Sequence, residues 1–161
     1  MPDKQELLVN NTCVHYISVM TETTEIKMNK IPPIWLFDGV CVLCNGAVRY
    51  TLKHEREPLI RFVSIQSAEG RQLAVQHGLD PDDPQSFLFI ENREALSRSD
   101  GVIALARHLD GPAGLIALCR FLPKSLRDFA YDRIARNRYR LFGRKPECPI
   151  PDAGIRHRFV L

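Results

Sequence analysis

What the sequence lacks narrows it first. No apolar run approaches the roughly 20 residues that a helix needs to cross a bilayer. The first residues lack the basic start and long apolar stretch of a signal peptide. Neither sign of charge is in large excess: a formal net charge of +3 does not by itself argue for nucleic acid. The five cysteines are odd in number and unevenly spread, unlike a secreted disulfide scaffold. No second C-x-x-C and no close Cys/His pair stands near the one at Cys41 and Cys44, so spacing gives little support to a four-ligand metal site.

What remains is an ordinary globular composition, 45% apolar and 25% charged, in a chain of 161 residues. That length suits one domain with a tail, here expected in the cytoplasm. Residues 1–33 read as the tail: they hold no glycine, one modest apolar patch from Cys13 to Met20, and the linker-like Ile31-Pro32-Pro33. Met20 and Met28 are candidate start sites, and a functional extension is the equal alternative. Cys13 is expected to play no part in the chemistry.

The domain, residues 34–161, begins with the stretch around which it is organised. Ile34 to Phe37 is a short apolar run with the length of a core strand. Asp38-Gly39 is turn chemistry. From Cys44 the small or apolar positions recur at Ala47, Val48, Thr51 and Leu52, one face of a helix that should stop before Pro58. Cys41 therefore falls at the helix N-terminus, with Cys44 one turn inside on the buried face. Unpaired N–H groups and the positive end of the helix dipole favour a thiolate there. Cys41 is the expected nucleophile, and Cys44 the thiol that resolves its mixed disulfide. The plainer alternative is two core cysteines that happen to lie three apart.

Leu59 to Ile65 reads as a strand, Ser67 to His77 as a helix with Ser67 capping and Gly78 stopping it. Ser86 to Glu91 and Glu94 to Ser97 pair as strands across an Asn92-Arg93 turn. Ser99 or Asp100 caps a further helix with Val102, Leu105, Ala106 and Leu109 inward. The order β–α–β–α–β–β–α implies a parallel pair with a right-handed crossover and an antiparallel edge. This is a thioredoxin-like three-layer α/β arrangement with a mixed central sheet and an added C-terminal helical segment, and C-x-x-C follows its first core strand.

That segment differs in character. Gly111 to Leu122 is apolar apart from Arg120, and Lys124 to about Leu141 reads as a helix with Leu126, Phe129, Ala130 and Ile134 inward. Asp132 and Arg136 form an i, i+4 pair. From Arg120 onward eleven basic residues face four acidic ones. This surface suits an acidic partner or anionic lipid, but a solvated helix face is the preferred reading, and no membrane association is expected.

Asp38-Gly-Val-Cys41-Val-Leu-Cys44 resembles the D-x-x-C-x-x-C signature of the DCC family, thiol-disulfide oxidoreductase-like proteins. Leu122 to Gly143, with Tyr131, Arg136 and Tyr139, resembles the family's C-terminal block, followed by Cys148 and a terminal Arg-His-Arg-Phe. The resemblance covers about residues 34–161. It implies a thioredoxin-like fold and a redox activity on a protein or small-molecule disulfide or thiol, with electrons from a cellular thiol system and no cofactor. Some residues depart from better-known thioredoxin relatives. Val42-Leu43 between the cysteines supply no cation for a thiolate. Pro84 stands earlier than the proline that thioredoxins place before their third strand. Asp38 has three roles open: repelling a thiolate, relaying a proton to or from Cys44, or satisfying turn N–H groups. A non-catalytic interaction module and a Cys/His metal site are the competing functions. Cys148, in a proline-rich stretch, is expected to anchor the tail away from the active site.

Removing residues 1–27 is expected to leave the melting temperature and redox activity nearly unchanged. A large loss of stability on truncation would instead make the Cys13–Met20 patch a strand of the sheet.

Overall fold

The sheet is built outward from its first strand. In a computed structural model, which describes residues 31–146 and 152–161, β1 (Ile34–Phe37) lies at the centre of a five-stranded sheet. β2 (Arg61–Ser64) runs parallel to it, with Ile34 opposite Arg61 and Phe37 opposite Ser64. β3 (Leu88–Glu91) runs antiparallel on its other side, and β4 (Glu94–Ser97) antiparallel beyond that. A short β5 (Phe159–Val160) pairs in parallel with the outer edge of β2. The mixed thioredoxin-like α/β fold expected from the element order is thus present, with boundaries tighter by up to two residues at the strand ends.

Alternation along the strands produces two cores. Trp35, Phe37, Phe62 and Phe89 face Val48 of α1 (Val42–His54) and Ala104 and Leu105 of α3 (Arg98–Ala106). Leu36, Val63 and Leu88 face the opposite way, against Ala74 of α2 (Ala68–Gln76). Ser67 caps α2 as its sequence position suggests, its hydroxyl accepting from the Gly70 N–H at 3.1 Å. Gly70 is required here: a Cβ would stand 1.9 Å from the Ser64 carbonyl oxygen. Asn92 and Arg93 both adopt positive φ, 52° and 66°, the twist-matched hairpin geometry that a weak Asn-Arg signal nevertheless reaches. α3 begins at Arg98 after Ser97, which frees Ser99 and Asp100 from capping for other contacts.

The C-terminal segment corrects the sequence reading. Gly111–Phe121 forms a 3-10 helix none of whose residues is buried. α4 (Lys124–Phe142) follows, but Leu126, Phe129, Ala130 and Ile134 point to solvent, with Phe129 72% exposed. The face turned to the domain carries Arg127, Tyr131, Ala135 and Arg138. Polar anchors explain this choice: Arg127 pairs with Asp100 at 2.9 Å, Ser99 bonds to Asp128, and the Tyr131 hydroxyl meets Ser86 at 3.0 Å. Arg136 and Asp132 do approach, at 3.8 Å. Among the described residues, no helix is long and apolar enough to cross a membrane, and no peptide bond is cis.

Arg158 fastens β5 to the domain. Its guanidinium grips both oxygens of Glu55, at 2.5 and 2.7 Å, and donates to the Ile60 carbonyl at 2.9 Å. The side chains are only 10% and 4% exposed, so removing one leaves the other's charge with little water to replace it. Arg158→Ala should cost about 3 kcal/mol of unfolding free energy. Denaturant titration checks this; a loss near zero would mean that Glu55 is solvated.

Candidate active site

The turn between β1 and α1 is pinned from several directions. Cys41 is the N-cap of α1, in extended conformation (φ −76°, ψ 123°), and its Sγ accepts the Cys44 N–H at 3.3 Å. The Asn45 amide donates to the carbonyls of Gly39 and Cys41, at 2.6 and 2.9 Å. Gln66, from the turn after β2, accepts the Gly39 N–H at 2.9 Å and donates to Asp38 at 3.0 Å.

Asp38 sits beneath this turn, only 5% exposed. One carboxylate oxygen accepts from the Val40 N–H at 3.2 Å and from Gln66. The other accepts from the Tyr139 hydroxyl and from Arg138 at 3.4 Å. Arg138, 8% exposed, also donates to the carbonyls of Pro84 at 2.7 Å and Ala135 at 3.1 Å. The Arg138 and Arg144 guanidinium groups lie over the Tyr139 ring, at 4.4 and 5.4 Å. Of the three roles open to Asp38, the turn contact is present in the bond from the Val40 N–H. Its further use, anchoring α4, was not foreseen.

The two sulfurs differ in chemistry and access. The Cys41 thiol is lowered to about 6, first because the Cys44 side chain donates to its sulfur, with help from the Cys44 N–H. Burial and the Asp38 charge oppose this, and the Arg138 charge assists. The missing cation is therefore supplied by α4, from a residue 100 positions beyond Asp38. The same hydrogen bond, with burial, pushes Cys44 far upward. Burial and the bond to Asp38 raise Tyr139 to about 12, so it remains a donor.

Cys41 is 0% exposed. The chain leaving α4 covers it: Val42 N–H donates to the Gly143 carbonyl at 3.4 Å, Lys145 N–H to the Val40 carbonyl at 2.7 Å, and Arg144 bridges Cys41. Cys44 is half-buried rather than fully inside. It forms part of the wall of a cavity of about 510 Å³ between α1, α3, the 3-10 helix and α4.

Sequence reasoning thus located Cys41, Cys44 and Asp38, and the structure brings them together. It missed Arg138, Tyr139, Gln66 and the cavity. Arg138 and Tyr139 lie inside the C-terminal block of the resemblance, the one signal that could have singled them out. Cys119 is exposed on the 3-10 helix, and Cys13 and Cys148 lie outside the described residues. Among the described residues no group of three or more His, Cys, Asp or Glu side chains is placed to hold a metal.

A thioredoxin-like sheet followed by a helix-capping cysteine, with a second cysteine three residues on, defines a redox-type dithiol protein. Comparison with known proteins agrees. The DCC1-like thiol-disulfide oxidoreductase family matches residues 35–144. The uncharacterized protein YuxK of Bacillus subtilis (strain 168) is 45% identical over 127 residues, 79% of this chain and 93% of YuxK. A DCC family protein of Arabidopsis thaliana, named as chloroplastic, is 40% identical over 130 residues, 80% of this chain and 76% of that protein. No solved structure matches significantly. The chain belongs to the DCC1-like thiol-disulfide oxidoreductase family, and that membership ties it to thiol–disulfide redox chemistry.

The charges around Cys41 yield a signed test. Asp38→Asn removes a repelling charge and should shift the midpoint of Cys41 alkylation to lower pH. Arg138→Leu removes an attracting one and should shift it to higher pH. Mass-resolved iodoacetamide labelling across pH reads both; shifts of the same sign would show that repacking, not charge, controls the thiol.

Proposed function

We propose that this protein is a thiol–disulfide oxidoreductase in which Cys41 attacks and Cys44 resolves. The observation that carries the reading is the Cys41 sulfur at the start of α1, accepting the Cys44 N–H at 3.3 Å; with the Cys44 side chain and N–H donating to it, its pKa is lowered to about 6. A thiolate at neutral pH is the attacking species in exchange. The Cys41 thiolate attacks a substrate sulfur, the substrate S–S bond breaks, and the leaving thiolate takes a proton. Cys44 loses its proton and attacks the Cys41 sulfur of the mixed disulfide, which releases the second substrate thiol. The protein is left with a Cys41–Cys44 disulfide, and a cellular thiol returns it to the dithiol.

Reaching Cys41 requires the Gly143–Lys145 segment to lift. Asp38 acts as a positioning residue: both of its oxygens are occupied, and it holds the turn and Arg138 in place. The cytoplasm, where thiols are kept reduced, is the proposed setting.

Cys41→Ser should abolish reduction of insulin disulfides, and Cys44→Ser should trap mixed disulfides on Cys41. Deprotonation activates the thiol, so alkylation of Cys41 should rise with pH through a midpoint near 6, against about 8.5 for an ordinary thiol. A midpoint near 8.5 with full insulin reduction would remove the thiolate basis of the mechanism. A stabilised thiolate also favours the reduced form, so the reduction potential should lie between about −270 and about −120 mV. Equilibration with glutathione buffers measures it.

A further inference from the structure

The cavity beside Cys44 is not used by the steps above. Its volume, about 510 Å³, falls within the roughly 300–1,000 Å³ of small-molecule sites. Its walls are mostly apolar, from Phe37, Phe87, Leu105 and Ile116 among others. Two wall residues carry donors without a partner among the described residues, the indole Nε1–H of Trp35 and the Nε–H of Arg138, but both atoms are shut off from water and so from anything in the cavity. The cavity thus offers almost no polar surface, which suits an apolar occupant. The Arg138 charge is already opposed by Asp38, so a neutral molecule suits the site better than an anion. Ile116 and Ile134 are wall residues that are also exposed, so the entrance is apolar too.

The access of the two sulfurs says what the occupant does. Cys44 forms part of the cavity wall, whereas Cys41 is sealed. In the oxidised protein an incoming thiolate would meet the Cys44 sulfur, and Cys41, the more acidic thiol, is the better leaving group.

We propose that the cavity binds the reducing co-substrate, a neutral and largely apolar small-molecule dithiol. This rests on the exchange reading above and names the thiol that closes its cycle. One thiol of the co-substrate loses its proton and attacks the Cys44 sulfur. The protein S–S bond breaks and Cys41 departs as thiolate. The second thiol then attacks the co-substrate sulfur joined to Cys44. The co-substrate leaves as its disulfide, and Cys44 takes up that proton. Two electrons pass from the co-substrate to the protein.

Dihydrolipoamide, with its aliphatic chain, is a suitable probe; dithiothreitol is the polar dithiol control. The rate at which each reduces the oxidised full-length protein is divided by its rate with hydroxyethyl disulfide. The normalised rate for dihydrolipoamide should exceed that for dithiothreitol at least about tenfold. Ala113→Phe, which narrows the cavity, should bring the ratio down towards one. Equal normalised rates in the unsubstituted protein overturn the proposal. A second measurement needs no variant and no thiol chemistry. Trp35 is the only tryptophan, so titration with octanamide should change its emission saturably, and octanamide should compete with dihydrolipoamide. No saturable change also overturns the proposal. If the protein still reduces insulin in that case, the exchange function survives and only the cavity's role is lost. Saturable binding in a protein that exchanges with no disulfide would overturn the redox reading, and the co-substrate role with it.

Discussion

The buried carboxylate of Asp38 is the constraint on which the site depends. A carboxylate this far from water must be met by donors. They come from three parts of the chain: the Val40 N–H of its own turn, Gln66 after β2, and Arg138 and Tyr139 of α4. Meeting that demand fixes α4 across the end of the sheet. Once α4 lies there, three other features follow. Its Arg138 charge reaches Cys41, the chain leaving it runs over Cys41, and Tyr131, Ile134 and Ala135 become a wall of the cavity.

The division between the cysteines is then electrostatic on one side and steric on the other. A helix N-terminus favours a thiolate, but here burial and Asp38 work against it. The thiolate is stabilised chiefly by its own partner, because Cys44 supplies both a side-chain and a backbone donor. Access runs the opposite way: the acidic sulfur is covered and the protonated one stands at a cavity wall. The cover is held by backbone hydrogen bonds, each worth about 0.5–1.5 kcal/mol net, and Gly143 adds no side chain to it. Such a contact opens far more readily than a packed core.

How much of this the sequence reveals depends on the distance between partners. β1, the capped helix with Cys41 and Cys44, and the Asn92-Arg93 hairpin are legible because turn chemistry and side-chain period act within a few residues. The orientation of α4 is not. Its apolar stripe of Leu126, Phe129 and Ile134 is the natural inward face by periodicity, yet it meets solvent. Charge and hydrogen bonding decide instead, through partners 27 residues away for Arg127, 45 for Tyr131 and 100 for Arg138. The same distance hides the cation of the site: inspecting Val42 and Leu43 finds none, because it arrives from a helix that Asp38 recruits.

The 3-10 helix shows what this arrangement is for. Gly114 lies so close to the end of α3 that a Cβ would stand 2.8 Å from the Leu109 carbonyl oxygen, which fixes the segment's place. From there Ala113 and Ile116 border the cavity, while Leu115, Leu118 and Phe121 remain exposed. A core closing on itself would have drawn such side chains inward to reach interior packing density. Here α4 docks through its polar face, which holds it over Asp38 and leaves the space beside Cys44 open. The exposed apolar residues are therefore the counterpart of the cavity: both follow from a helix positioned by a buried charge rather than by its own hydrophobic stripe.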